Sequence, residues 1–141
     1  MNTKIKNSLI SLSDKSELIS ILRILKKYKI NIISSGGTFQ TIKKKGFICK
    51  DVSEFTNFNE MLDGRVKTLH PKIHSGILFD RSKKKHLKQI KNKKFEPIDL
   101  VIVNFYPFKE NLKNKKNIAK IIENIDIGGP TMVRAAAKNY K

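Results

Sequence analysis

The sequence predicts an α/β protein built on a parallel sheet with helices on both faces, Rossmann-like in its broad arrangement. Short β-branched or apolar runs alternate with longer segments whose apolar residues recur every three or four positions, along most of the 141 residues. Alternation of this kind is typical of βαβ units, whose strands lie parallel and are covered on both faces. No internal repeat or linker-like tract divides the chain, so we expect one domain over residues 1–141.

The first half of the chain predicts three strands and two helices. Residues 8–12 form a short buried strand, and a helix follows in which Ser13 is the expected N-cap. The apolar stripe of this helix consists of Leu18, Ile21, Leu22 and Leu25. The β-branched run 30–34 predicts the second strand, and "SGGT" then opens a helix that continues to Lys45. A third strand is expected over residues 47–52.

The second half begins with the segment 61–78, "MLDGRVKTLHPKIHSGIL", which combines basic residues with glycines and a proline. This mixture predicts an irregular binding loop. A polar helix over 86–95 precedes the apolar run 98–103, which is the strongest indication of a central strand in the sequence. Further helices are expected around 118–124 and over 131–138, the last with Pro130 in its first turn.

The formal charge of +18 raises the possibility of nucleic-acid binding. Of the 30 basic residues only four are arginines, and lysine, asparagine and isoleucine are all abundant, which indicates a compositional bias rather than a dedicated surface. No run of apolar residues is long enough to cross a membrane or to serve as a signal peptide. A single cysteine, Cys49, excludes an internal disulfide and fits a cytoplasmic protein.

Polar side chains follow the predicted strands at their carboxyl ends, where ligands collect in open α/β sheets. Those after the first two strands are Ser11, Ser13, Lys15, Ser35, Gly36, Gly37 and Thr38. Glycines, hydroxyls and a helix N-terminus together favour a phosphate group. Asn104 and Tyr106 follow the run 98–103, and Asp126 precedes a second pair of glycines, an arrangement that suits an amide better than a phosphate.

A metal site is not expected. His70 and His74 are four residues apart, but Pro71 interrupts the helix that such a pair would require, and no third ligand lies at a useful spacing. Cys49 lies in a predicted strand and has no basic neighbour at catalytic spacing, so we interpret it as a core thiol.

Several segments occur together in one order: "SLSDK", "SSGGT", "DVSEFTNFNEMLDGRVKTLHPKIHSGIL", "NFYPF" and "IDIGGPTMVRAAAKN". With these the chain, from about Ser8 to its last residue, closely resembles the IMP cyclohydrolase domain of the bifunctional purine-biosynthesis enzyme AICAR transformylase/IMP cyclohydrolase. The resemblance implies a methylglyoxal-synthase-like fold. It also implies closure of the purine ring of 5-formamido-4-imidazolecarboxamide ribotide (FAICAR), with loss of water, to give IMP.

The resemblance also implies site residues. The expected nucleotide-binding residues are Ser13, Asp14, Lys15, Ser35, Gly36, Gly37, Thr38, Arg65, Val66, Lys67, Thr68, Val103, Asn104, Asp126, Ile127, Gly128 and Gly129. Catalytic roles are implied for Lys67, Tyr106 and Asp126, and a role in proton transfer for Lys138. No metal or other cofactor is expected, and members of the family are usually homodimers.

The family's domain continues beyond the position of Lys141 and is followed by a transformylase domain, so we expect residues 1–141 to be a truncated cyclohydrolase domain without transformylase. Two other functions stay open. One is a methylglyoxal-synthase-like phosphate enzyme or an allosteric nucleotide-binding module on the same fold, which "SGGT" alone would support. The other is a nucleic-acid-binding protein, supported by net charge alone.

Overall fold

The computed structural model describes residues 4–108, 112 and 118–140. Its centre is a four-stranded sheet in the order β3-β2-β1-β4, in which every neighbouring pair is parallel. The strands are β1 (Asn7–Ser11), β2 (Asn31–Ser34), β3 (Lys50–Asp51) and β4 (Leu100–Val103). The predicted α/β class with a parallel sheet is therefore confirmed.

Seven helices surround the sheet in the described part of the chain. They are α1 (Leu18–Lys27), α2 (Gly36–Lys44), α3 (Val52–Thr56), α4 (Pro71–Leu78), α5 (Lys84–Asn92), α6 (Ile118–Glu123) and α7 (Gly128–Lys138). A short 3-10 turn, Leu62–Gly64, lies between α3 and α4. None of the helices in these ranges is long and apolar enough to cross a membrane.

Two apolar clusters cover the two faces of the sheet, as predicted. On one face Leu9 and Ile33 pack with residues of α3, α4 and α7, among them Phe55, Ile73 and Met132. On the other face α1 and α2 cover the sheet; the residues of this cluster are Ile10, Leu12, Leu18, Leu22, Leu25, Ile32, Ile42 and Cys49. Adjacent strand residues such as Leu9 and Ile10 belong to opposite clusters because successive side chains of a strand point to opposite faces.

The structure corrects the prediction for residues 61–78, because the second half of this segment is the regular helix α4. Its first residue is Pro71, and the imidazole Nδ1 of His70 accepts a hydrogen bond from Lys72 N at 3.1 Å. Proline is well tolerated at the first helical position, where its missing N–H would have no intrahelical partner. Pro71 therefore begins a helix rather than preventing one.

The predicted N-cap of α1 is wrong. This helix begins after Glu17, whose side chain makes no capping bond, and Ser13 lies four residues earlier in an irregular turn. The side chain of Asp14 accepts hydrogen bonds from Ser16 N at 2.9 Å and Ser16 Oγ at 3.1 Å. These bonds hold the pKa of the exposed Asp14 carboxyl below its usual value, chiefly through the backbone N–H of Ser16.

Two strand predictions also change. The third strand is confined to Lys50–Asp51, because Asp51 caps α3 immediately afterwards by accepting a hydrogen bond from Ser53 N at 2.8 Å. Strand β4 occupies an edge of the sheet that the described residues form, and its four residues are only partly buried. A continuous apolar run indicates that both faces of a strand are covered, and it does not indicate how many neighbours the strand has.

Candidate functional site

A cleft of about 560 Å³ lies at the carboxyl ends of β1, β2 and β4. Most of the predicted site residues line it. They are Ser11, Ser13, Lys15, Ser35, Gly36, Gly37, Thr38, Arg65, Lys67, Thr68, Asn104, Tyr106, Asp126, Ile127, Gly128 and Gly129. The expectation that distant turns meet at one rim of the sheet is confirmed.

One part of the lining is suited to an anion. Helix α2 begins at Gly36, and the free N–H groups of its first turn face the cleft together with two ammonium groups. A methyl group added to Gly36 would lie 3.1 Å from Lys67 Nζ, and one added to Gly37 would lie 4.0 Å from Lys15 Nζ. Two cations beside a helix N-terminus form a favourable environment for a phosphate group.

The hydroxyl groups of this part fall into two sets. Thr38 is buried, and its Oγ1 donates to Leu12 O at 2.9 Å and accepts from Leu12 N at 3.0 Å, so this hydroxyl joins α2 to the end of β1. Ser35, by contrast, has an extended backbone at the N-cap of α2 and makes no capping bond with its side chain. Ser35 is therefore better placed than Thr38 to offer a hydroxyl to a ligand.

The side chain of Asn104 shapes the cleft through the backbone of a neighbouring loop. Its Oδ1 accepts hydrogen bonds from Ser13 N at 2.6 Å and Asp14 N at 3.3 Å, and its Nδ2 donates to Asp14 O at 2.8 Å. Asn104 thus extends the pairing of β4 with β1 by side-chain bonds. The resemblance implies that Asn104 binds the nucleotide. In the structure its side chain supports the loop that contains Ser13.

A carboxylate lies in another part of the lining. Asp126 Oδ1 accepts a hydrogen bond from Gly129 N at 2.9 Å, which fixes the acid at the N-terminus of α7. A methyl group on Gly129 would lie 2.5 Å from Asp126 Oδ2 and 3.1 Å from the ring of Phe105. Glycine at position 129 therefore leaves the space that this carboxylate occupies.

The basic residues of the loop before α4 are both paired with acids. Arg65 donates to Glu123 through Nη2 and also through Nε, at 3.3 Å, and Lys67 Nζ lies 2.6 Å from Glu60 Oε2. The hydrogen bond and charge of each partner raise the pKa of Arg65 and lower that of Glu123. Arg65 and Glu123 both line the cleft, so their pair joins the loop to α6 across it.

Sequence reasoning missed part of the lining. These residues are Leu12, Asp63, Gly64, Ile122, Glu123, Ile125 and Met132. Glu123 pairs with Arg65, and Glu60 pairs with Lys67. Neither acid lies in a turn that follows a strand, so a search of the strand ends gave no indication of them. With Asp63, Glu123 and Asp126 opposing Lys15, Arg65 and Lys67, the cleft is balanced in charge although the protein is strongly basic. A groove for a nucleic-acid backbone would instead be lined by basic residues.

Four predicted site residues do not line the cleft. Asp14 is exposed beside Ser16, and Val66 and Val103 are half-buried next to lining residues. Lys138 is the most distant, because α7 begins at the cleft with Gly128 and Lys138 is its last residue. A rise of 1.5 Å per residue places Lys138 about 15 Å further along the axis, and its side chain is exposed. The geometry does not support a role for Lys138 in the cleft of its own chain.

The histidines and the cysteine have structural surroundings. His70 caps α4 and its ring lies 5.5 Å from that of Phe58. His74 is a residue of α4, and burial lowers the pKa of its imidazole, an effect opposed by a hydrogen bond to the backbone of Thr68. Cys49 is 9% exposed, and burial raises the pKa of its thiol to about 12. Within the described ranges no cluster of three or more histidine, cysteine or acidic side chains could hold a metal ion.

The fold and this cleft define a class of protein: a parallel α/β domain with a polar cleft at the carboxyl edge of its sheet. A family profile described as "MGS-like domain" matches residues 17–131. The chain belongs to the MGS-like domain family.

Curated relatives extend this result. The chain is 52% identical over 138 residues to the bifunctional purine biosynthesis protein PurH of Acetivibrio thermocellus, covering 97% of this chain and 27% of that protein. It is 53% identical over 143 residues to PurH of Buchnera aphidicola subsp. Schizaphis graminum, covering 100% of this chain and 27% of the relative. These matches are to the N-terminal region of PurH. The chain thus spans about a quarter of the length of the curated relatives it matches.

A solved structure shares the fold. The crystal structure of ForH superposes with a TM-score of 0.83 at 26% identity, covering 96% of this chain and 70% of ForH. The predicted methylglyoxal-synthase-like fold and the resemblance to the bifunctional purine-biosynthesis enzyme are both confirmed.

Proposed function

We propose that this cleft binds FAICAR and closes its second ring, with loss of water, to give IMP. The observation that carries the proposal is the polarity of the cleft: Lys15 and Lys67 flank the N-terminus of α2, whereas Asp126 faces the cleft from the N-terminus of α7. A ribotide offers its phosphate to the helix N-terminus beside Lys15 and its carboxamide to Asp126, which leaves the ammonium of Lys67 for the charge that develops at the formyl oxygen. Relatives named as purine biosynthesis proteins support the same reaction.

The carboxylate of Asp126 is suited to orient the amide. Its Oδ1 is bonded to Gly129 N, and its Oδ2 has no hydrogen bond in the described part of the chain, which leaves that oxygen for a carboxamide N–H. An amide nitrogen is a weak nucleophile because its lone pair is delocalised, so alignment with the formyl carbon matters. Both reacting groups belong to one molecule, and holding them in contact supplies much of the rate enhancement.

Ring closure is balanced as follows. The carboxamide nitrogen bonds to the formyl carbon, and the carbonyl oxygen of the formyl group becomes an oxyanion in the tetrahedral intermediate. The carboxamide and formamido nitrogens each lose one proton, and the oxygen leaves as water with these two protons. The ammonium of Lys67 and the hydroxyl of Tyr106, which also line the cleft, are the groups we assign to the oxyanion and to proton delivery.

The test is conversion of FAICAR to IMP by the full-length protein that contains this chain, without added metal. We expect Lys67→Ala and Asp126→Asn to lower kcat/KM by about 100-fold or more, since each removes a group that acts in the transition state. Lys44→Ala is the matched control, because Lys44 is exposed in the last turn of α2. Wild-type rates in both cleft variants would refute the assignment.

A second candidate function is phosphate-ester chemistry or regulatory nucleotide binding on the same fold. The anion-binding part of the cleft and the family to which the chain belongs favour it. This candidate gives no task to Asp126 or Tyr106. Binding of IMP without conversion of FAICAR by the full-length protein would support it over ring closure.

A further inference from the structure

We propose that Glu60 is a positioning residue of the cleft, which acts through Lys67 and does not bind the ligand itself. The reaction that it serves is the proposed function above, and the proposal rests on that function for its catalytic readout. Glu60 belongs to one of the segments that carry the resemblance, but neither the resemblance nor the strand-end motifs implied a role for it. The structure places its carboxylate in contact with a cation of the cleft.

The first observation is the confinement of the Lys67 ammonium. Its Nζ lies 2.6 Å from Glu60 Oε2, and the Lys67 side chain is only 23% exposed. Methyl groups added to Gly36 and Gly64 would lie 3.1 and 3.5 Å from the same Nζ, so the backbone of both glycines closes around it. An ammonium group has three N–H donors. One donor serves Glu60, which leaves two for a ligand.

The second observation is the side from which Glu60 approaches. A neighbouring hollow of about 430 Å³ shares Gly36 and Lys67 with the cleft, and Glu60 belongs to the lining of this hollow. Glu60 does not belong to the lining of the cleft. The carboxylate therefore holds the ammonium from outside, and an anion in the cleft meets Lys67 without meeting Glu60.

The third observation is the strained turn that the ion pair spans. Leu62, Asp63 and Gly64 have successive φ angles of 53°, 54° and 87°, in the left-handed region. Side chains other than glycine adopt this region at a cost, and such conformations persist where the surrounding structure determines them. Hydrogen bonds from Gly64 N to Met61 O and from Arg65 N to Leu62 O, both 3.1 Å, close the turn, and the pair joins its two flanks.

The carboxylate of Glu60 thus fixes the position of the Lys67 ammonium. Without it, the long lysine side chain gains rotamers, and fewer of them direct Nζ toward the cleft. Small displacements of a catalytic group cost up to about 100-fold in rate. We therefore expect Glu60→Gln to lower kcat by about 10- to 100-fold in the full-length protein, with KM within about twofold of the wild type.

The control is Glu54→Gln, which makes the same change of charge at an exposed residue of α3 that lines neither hollow. We expect its kcat to equal that of the wild type. Melting temperatures of both variants are measured to separate a catalytic loss from unfolding. Glu60→Asp keeps the charge on a shorter side chain, and we expect it to recover part of the kcat that Glu60→Gln loses.

The decisive experiment is a double-mutant cycle with Lys67→Ala, scored by single-turnover rates of ring closure. If Glu60 acts through Lys67, Glu60→Gln has no further effect once the ammonium is absent. An equal rate loss from Glu60→Gln in both backgrounds would overturn the proposal, and so would a kcat for Glu60→Gln equal to that of Glu54→Gln.

Failure of the reaction and failure of this role are distinguishable. A wild-type protein that binds inorganic phosphate but does not convert FAICAR refutes ring closure. The same cycle is then scored by the dissociation constant of inorganic phosphate. Coupling between Glu60→Gln and Lys67→Ala in that constant supports the positioning role, and additive effects overturn it.

Discussion

Asn104 and Asp14 are joined by reciprocal hydrogen bonds, in which the Asn104 side chain donates to the Asp14 carbonyl at 2.8 Å and accepts from the Asp14 N–H at 3.3 Å. Together with the hydrogen bond from Ser13 N, these side-chain bonds continue the hydrogen bonding between β1 and β4 beyond the last paired residues. A residue at the end of one strand thereby fixes the loop at the end of its neighbour. The cleft depends on this loop because Ser13 and Lys15 belong to its lining.

We expect Asn104→Ala to raise KM by about tenfold and to lower the free energy of unfolding by about 1–2 kcal/mol, since backbone groups of residues 13 and 14 lose their partners. Asn104→Asp keeps one acceptor but loses the donor, and we expect it to be similarly impaired. Steady-state kinetics and urea unfolding provide the measurements. A normal KM in Asn104→Ala would show that the loop holds its position without this amide.

A pair of glycine substitutions separates site geometry from backbone strain. In Gly129→Ala the new methyl group would lie 2.5 Å from Asp126 Oδ2, so the carboxylate must move, and we expect activity to fall by about 100-fold. In Gly46→Ala nothing lies within 4 Å, but the backbone has a φ of +77°. We expect this control to lose about 1 kcal/mol of stability and to keep its activity. Equal activities of the two variants would contradict the steric argument.

The cleft could be predicted because parallel strands bring their carboxyl ends to one edge. Ser13, Ser35 and Asn104 follow three different strands, and each lines the cleft. That inference needs the order of elements but no side-chain positions. The partners of the cleft cations could not be predicted in the same way. Glu123 lies 58 residues from Arg65, and their pairing is a product of the folded chain.

Predictions of helix boundaries from single residues were least reliable where one residue type can either end or begin a helix. Proline ends most helices that it enters, but at the first helical position it is well tolerated. Pro71 occupies that position in α4, directly after the capping residue His70. The role of Lys138 was implied by the resemblance and not by a local rule. Lys138 lies at the end of α7 that is far from the cleft, on one face with Thr131 and Arg134, away from the side of the helix that packs through Met132.

Mild acid is expected to destabilise the protein through His74. Burial lowers the pKa of this imidazole in the folded state, and its Nε2 is buried with no hydrogen-bond partner among the described residues. The unfolded chain, with a histidine pKa of about 6.5, binds the proton first as the pH falls. The stabilising contribution is therefore complete above pH 6.5 and is lost as the pH decreases through the lower, folded value.

The measurement is the free energy of unfolding in urea between pH 7 and pH 5. This window lies above the range in which Asp14 and Glu123 take up protons, because the pKa of each is lowered in the folded protein. In His74→Gln, which keeps a donor for the backbone of Thr68 but cannot titrate, we expect a shallower loss of stability with acid. Identical slopes for variant and wild type would contradict the assignment to His74.

The thiol of Cys49 is expected to be unreactive in the folded protein. Its pKa of about 12 results first from burial and then from the nearby charge of Asp51. At pH 8 the thiolate fraction is roughly a thousandfold smaller than that of an ordinary cysteine, and the thiolate is the reacting species. Reaction with a thiol reagent is therefore expected to be slow in buffer and fast in concentrated urea. Cys49 is the single cysteine of the chain, so in this 141-residue polypeptide the signal has one source. A native rate close to the rate in urea would show that the thiol is accessible from the surface, and that α2 does not seal the sheet beside it.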